Sequence, residues 1–261
     1  MSSERSALVS VILPAFNAEK TISDTVNSVL AQSYEAFELI IIDDCSTDGT
    51  AAIIEEFEQK DARIRSLRNE RNIGVLKTRL NGIRAAFGSW IAFIDSDDLW
   101  NPDKLEKQMN LQQETSCDLV FSGVGYIDTN GKPLSWVLHV PQDVTYEKLL
   151  KQNVISNSSV VIRKDVFLHY TPVSEDKRDL HEDYACWLQL LRNGHKVKGL
   201  DEPLATYRVS KNSMTGNKFH SAVLNWYTYR FVGLNWFQTV YYMICYTVRG
   251  IRKYSHLRKK T

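Results

Sequence analysis

Along the first hundred residues, short apolar runs alternate with segments whose apolar residues recur at helical spacing. Leu8 to Leu13 is β-rich and stops at Pro14, Phe37 to Ile42 stops at Asp43 and Asp44, Arg63 to Leu67 is a weaker run, and Trp90 to Ile94 stops at Asp95. Between them, Ile22, Val26, Val29 and Leu30 share a helical face behind Asn17 as N-cap. Ile53, Ile54 and Phe57 mark a second helix over Ala51 to Phe57, and Val75, Leu76, Leu80, Ile83 and Phe87 mark a third. Near-continuous apolar strands alternating with helices predict an α/β fold, a mostly parallel sheet covered by helices on both faces. Such a sheet takes ligands at the carboxyl ends of its strands. The conspicuous polar residues collect at those ends.

The pattern beyond residue 100 is less regular. Pro102 to Gln113 reads as a helix, Asp118 to Tyr126 as a strand, and Asn130 to Pro133 as a turn before an extended piece, Leu134 to Val140. Ser158 to Ile162 is a short strand, and Asp183 to Leu191 is a helix closed by Asn193-Gly194. Phe231 to Tyr246 is rich in aromatic and aliphatic residues, but Asn235 and Gln238 interrupt it and it is short for a membrane span.

Composition narrows the classes. With 261 residues, 43% of them hydrophobic, the chain has the material for one large core and a small appendage. A net charge of +1 supplies no global basic field, so nucleic acid is not an expected partner. Cys45, Cys117, Cys186 and Cys245 lie far apart without a CxxC pair, which fits a reducing compartment, and the polar start Met1 to Ser6 has no secretory pattern. A cytoplasmic chain is expected.

The chemistry concentrates in Asp95-Ser96-Asp97-Asp98. Three carboxylates in four residues repel one another unless a cation or strong donors compensate them. A divalent metal bridging two phosphates is one such partner, since Mg²⁺ and Mn²⁺ take oxygen ligands and often only one or two protein carboxylates; a solvated turn capping a helix is the other reading. Pro14 to Asn17 and Asp43-Asp44 end neighbouring strands, where a carboxylate can accept from a base or a ribose hydroxyl. Arg79 sits one turn into the third helix, where a guanidinium can offset a diphosphate or simply face solvent. Glu182 and Asp183 open the helix that carries Trp187. Both complement its dipole, and either can act as a general base; spacing alone does not choose.

Taken together and in order, the segments Val9 to Asn17, Ile42 to Thr50, Asn72-Ile73-Gly74, Arg79 to Gly82, Asp95 to Asp98, Glu182-Asp183 and Trp187 resemble the family 2 glycosyltransferases of the nucleotide-sugar (GT-A) fold, in particular bacterial surface-polysaccharide members. The resemblance implies a catalytic domain over residues 1–215, with a nucleotide-sugar half over 1–100 and an acceptor half over 101–215, followed by a helical segment over 216–261. It implies that Pro14, Ala15, Phe16, Asn17, Glu19 and Asp44 hold the nucleotide, that Arg79 faces the diphosphate, and that Asp95 and Ser96 contact the sugar nucleotide. Asp97 would bind the Mn²⁺ or Mg²⁺. It selects Asp183 as the base of an inverting transfer from a nucleotide diphosphate donor, a UDP-sugar by family frequency, to a saccharide or lipid-linked saccharide. Glu182, Trp187, Lys211, Ser213 and Lys218 are acceptor or lid candidates, and His220 is a candidate further metal contact. The other readings are a sugar nucleotidyltransferase, disfavoured by the glycine-free Pro14-to-Ala18 loop, and a non-catalytic nucleotide-sugar binder, disfavoured by the joint presence of Asp97 and Asp183.

The end of the chain brings Trp236, Phe237, Tyr241, Tyr242 and Tyr246 close to Arg249, Arg252, Lys253, Arg258, Lys259 and Lys260. Aromatic rings beside basic residues fit a segment on an anionic membrane surface, which would make the protein peripheral on a membrane's inner face. The alternatives are a core helix and an oligomer contact.

Overall fold

The computed structural model describes residues 7–171, 180–209 and 218–258, with the helical backbone alone at 218–220 and 251–258. The strands are β1 (Val9–Ala15), β2 (Phe37–Asp43), β3 (Ile64–Arg68), β4 (Trp90–Phe93), β5 (Leu99–Trp100), β6 (Leu119–Ile127), β7 (Val161–Arg163) and β8 (Val197–Arg208). The helices are α1 (Ile22–Leu30), α2 (Thr50–Lys60), α3 (Val75–Ala85), α4 (Lys104–Thr115), α5 (Tyr146–Lys151), α6 (Lys164–Tyr170), α7 (Glu182–Arg192), α8 (Lys218–Phe231) and α9 (Trp236–Arg258). One sheet runs β3-β2-β1-β4-β7-β6-β8-β5. Its β3-β2-β1-β4 half is parallel, β6 and β8 are parallel to each other, and β7 and β5 enter antiparallel.

Alternation along the strands divides the core into two layers. Ile12, Ile40, Ile42, Ile91 and Phe93 face one way, joining Leu80 and Ile83 of α3 and Tyr184, Trp187 and Leu188 of α7. Val11, Leu13, Leu39, Ile41 and Ala92 face the other, joining Val26 of α1, Ile54 of α2 and Met109 of α4. Burial on both faces is why these strands read as continuous apolar runs. On the first face α3 comes so close that a Cβ on Gly82 would stand 2.5 Å from Ile42 Cδ1. Any larger residue there would force the Ile42 side chain to move.

Three sequence expectations change. Asn17 does not cap α1: it has φ 50° and its side chain is engaged elsewhere, while Thr21 occupies the capping position. The piece from Leu134 to Val140 forms no strand: it pairs with β6 only through an isolated bridge at Leu138, preceded by one at Pro133, on the edge that β7 leaves beyond Val120. β8 itself was not foreseen; its Asp201, Glu202 and Pro203 break the apolar pattern where its register with β6 shifts.

Lys104 is fully buried, with Nζ donating to Gln108 Oε1 at 2.7 Å and lying 4.0 Å from the Trp100 ring centroid. Burial drives its pKa well below the ordinary lysine value. The unfolded chain therefore binds more protons, and this group's contribution makes stability rise with pH from the lowered folded value up to ~10.4. Lys104→Met should abolish that increment, read as the difference between denaturation midpoints at neutral pH and near pH 10. An equal difference in both proteins would refute the assignment.

The last two helices join the same core. Thr239 of α9 is buried, and Tyr242, Met243 and Tyr246 pack against the layer that holds Tyr184 and Tyr229. Among the described residues, no helix is long and apolar enough to cross a membrane.

Candidate active site

The carboxyl ends of β1, β2 and β4 lie side by side, as parallel pairing requires. The loops leaving β1 and β2 are laced together. Asn17 N–H donates to Ser46 Oγ, Ala18 N–H to Thr50 Oγ1 and Glu19 N–H to Asp48 Oδ2. In return Asn17 Oδ1 accepts from Thr47 N–H at 2.9 Å, and Glu19 Oε2 accepts from Gly49 N–H at 2.9 Å. The Asn17 and Glu19 side chains thus shape the ledge. Pro14 and Ala15 are buried in it, whereas Phe16 stands 48% exposed at its edge and offers an open ring.

Asp44 is buried beside this ledge, and its two oxygens accept from Asn69 Nδ2, Ile73 N–H and Gly74 N–H at 2.8 to 3.0 Å. Burial works against its charge, but these bonds and that of Thr78 outweigh burial and hold its pKa below the ordinary value. Asn69 is itself held by Asn81 Nδ2. Asp44 therefore fixes the 69–74 loop at the mouth of the site.

Arg79 is the centre of the arrangement. It is buried, with Nη2 donating to Asp95 Oδ1 at 2.5 Å and Nη1 to Glu182 Oε1 at 3.5 Å, while Nε has no partner among the described residues. Its burial opposes the positive charge, yet Asp95, Glu182 and Asp183 outweigh it and raise the pKa. The exposed helix arginine considered from the sequence is thus a buried bridge from the acidic turn to the start of α7. Glu182 has a raised pKa, first through burial and then through its neighbour Asp183. Asp183 is half-buried and its Oδ1 accepts from Tyr184 N–H at 2.7 Å. The start of α7 is fixed from outside by Thr228 of α8, whose Oγ1 accepts from His181 N–H.

The acidic turn divides its labour. Asp98 is buried, accepting from Ser158 Oγ at 2.5 Å and from Arg208 N–H at 3.2 Å, so it anchors the turn. Burial and the charge of Asp95 push its pKa well up. Ser96 offers its carbonyl to Thr21 Oγ1, and Arg208 Nε donates to the Asp97 carbonyl. The Asp97 carboxylate takes no side-chain bond among the described residues, and burial followed by the charge of Asp95 raises its pKa. Asp95 is partly exposed beside it. Two repelling carboxylates are a hard-oxygen donor set that suits Mg²⁺ or Mn²⁺. No group of three or more His, Cys, Asp or Glu placed to hold a metal ion is found among the described residues.

A loop ledge, two neighbouring carboxylates and a third acid tied to them through Arg79 form the kind of arrangement that sugar transfer from a nucleotide uses. Residues 10–171 match the model of the family described as Glycosyl transferase family 2. The chain belongs to that family. It is 38% identical to the glycosyltransferase TuaG of Bacillus subtilis (strain 168), named for teichuronic acid biosynthesis, over 94% of this chain and 97% of that one. It is 34% identical, over 95% of each chain, to WfgD of Escherichia coli, a UDP-Glc:alpha-D-GlcNAc-diphosphoundecaprenol beta-1,3-glucosyltransferase. The fold is shared with Staphylococcus aureus TarS 1–349 solved with UDP-GlcNAc, at a TM-score of 0.71 and 20% identity, covering 92% of this chain and 71% of that one.

As a family 2 glycosyltransferase the chain is not a sugar nucleotidyltransferase. The family match contains Pro14 through Asp97 but ends before Glu182 and Asp183, so geometry alone joins those two acids to the site. Trp187 needs correction: it is fully buried 6.1 Å from the Phe167 ring centroid and cannot touch an acceptor. Its α7 face is the one that seals the core. Lys211 and Ser213 lie outside the described residues; Lys218 and His220 belong to α8, but their side chains lie outside them. Arg208, Ser158 and Asn69 were missed because their roles depend on pairing with residues distant in the chain.

Proposed function

We propose that the chain transfers a hexose-type sugar from a UDP-sugar to a lipid-linked saccharide in the synthesis of a cell-surface polysaccharide, inverting the anomeric centre. The observation that carries this reading is the Arg79 bridge, which ties Asp95 of the acidic turn to Glu182 at the start of α7. The relatives' names support the donor and the acceptor class, and the UDP and UDP-GlcNAc complexes of the fold neighbour support a uridine donor.

In this scheme Phe16 offers its ring to the base, and the 69–74 loop held by Asp44 borders the ribose. Asp97, with Asp95 beside it, would hold a divalent cation, which when bound supplies Lewis-acid stabilisation of the departing diphosphate. Asp183 takes the proton of the acceptor hydroxyl as its oxygen bonds to the anomeric carbon and the bond to the diphosphate oxygen breaks. Glu182, tied to Arg79, orients the acceptor. One displacement inverts the centre without a covalent intermediate. Four free cysteines fit a cytoplasmic setting, and a lipid-linked acceptor places the work at a membrane face.

A panel of nucleotide sugars, scored for binding and for hydrolysis with and without Mn²⁺, tests this. Binding of a UDP-hexose with metal-stimulated turnover is expected. Failure to bind any nucleotide sugar would overturn the reading; preference for another base would overturn its uridine part.

A further inference from the structure

Helix α9 carries two faces of unlike fate. Thr239, Tyr242, Met243 and Tyr246 hold it to the core, while Phe237, Tyr241, Ile244 and Val248 recur at four-, three- and four-residue intervals on its outer side, 43% to 79% exposed. That spacing forms one stripe along the helix. Trp236 and Phe231 extend it at the α8–α9 corner, both exposed. The chain from Trp236 to Thr261 contains no Asp or Glu and six Lys or Arg residues, beginning with exposed Arg249.

We infer that this outer face of α9 docks on an anionic bilayer, its apolar stripe entering the headgroup layer beside exposed Arg249, with the acid-free, basic sequence that follows favouring anionic lipid. A helix fastened by one face, apolar on the other and without acids has the build of an interfacial helix. A second copy is a poorer occupant, because a twofold contact would set each acid-free face against its like. The inference extends the proposed lipid-linked acceptor: docking through α9 brings a bilayer-borne acceptor to a chain whose α8 also fixes the start of α7.

The test is sedimentation with vesicles of phosphatidylcholine alone or mixed with phosphatidylglycerol, at low and high salt. The protein should pellet with the anionic vesicles, and each basic residue near the surface should be worth about fivefold in partition, so that high salt releases it. Phe237→Ser/Ile244→Ser, with both positions exposed, should keep the thermal midpoint and lose binding. Turnover of this variant with a water-soluble acceptor should match wild type. No binding at low salt, equal binding by the variant, or a dimer that the variant abolishes would each overturn the inference. A chain that binds vesicles but turns over no donor would defeat the proposed function and leave the docking surface standing.

Discussion

Asp183→Asn should lower turnover by about 10²–10⁴-fold, the usual contribution of a general base, while leaving the fold and donor affinity in place. An Asn Oδ1 can still accept from Tyr184 N–H, as the Asp183 side chain does, but the group no longer takes a proton. Glu182→Gln should do less to the chemical step and more to the site's shape, since its carboxylate is tied to Arg79. Initial rates, donor affinity and thermal midpoints of both variants decide the matter. An Asp183→Asn protein that folds, binds donor and works at the wild-type rate would move the base elsewhere. Joint loss of the midpoint and donor binding would make Asp183 a structural residue.

Asp97→Ala should lose ~10²-fold or more in turnover, because cation stabilisation of a leaving group is worth several kcal/mol. Its thermal midpoint without metal should hold or rise. The sign follows from linkage: a carboxylate whose folded pKa lies above its unfolded one is disfavoured as an anion in the fold, so above that folded pKa it costs stability. Activity and stability therefore move apart. Calorimetric titration with Mn²⁺ completes the test, with wild type showing donor-dependent uptake that the variant lacks. Unchanged turnover in Asp97→Ala, or wild-type turnover that survives excess chelator, would remove the metal from the scheme.

What could be read in the chain was what local periodicity encodes. β1, β2 and β4 are buried on both faces, so their residues are apolar throughout, and their polar ends announce the site. β8 could not be read this way: it is held by pairing to β6 and β5, and Asp201, Glu202 and Pro203 interrupt its pattern. The acids were legible, but their division of labour was not. Whether Asp98 is an anchor or a ligand depends on Ser158 and Arg208, which no spacing rule connects to it. Trp187 misled because the family resemblance carried it to the acceptor site, whereas helical rotation turns it into the core.

The clamp on the acidic turn also has a schedule. Arg208, which donates its backbone N–H to Asp98, is made 110 residues later, a delay of about 5–20 s at usual elongation rates. The parallel strands β1 to β4 can pair long before that, so the nascent chain carries its carboxylates on a half-built sheet until β8 slots between β6 and β5. Competence to hold a cation would then arrive with one of the last strands to leave the ribosome. An interrupted synthesis that stops short of Arg208 would yield a chain whose Asp98 lacks its Arg208 donor and whose acidic turn is left without that clamp.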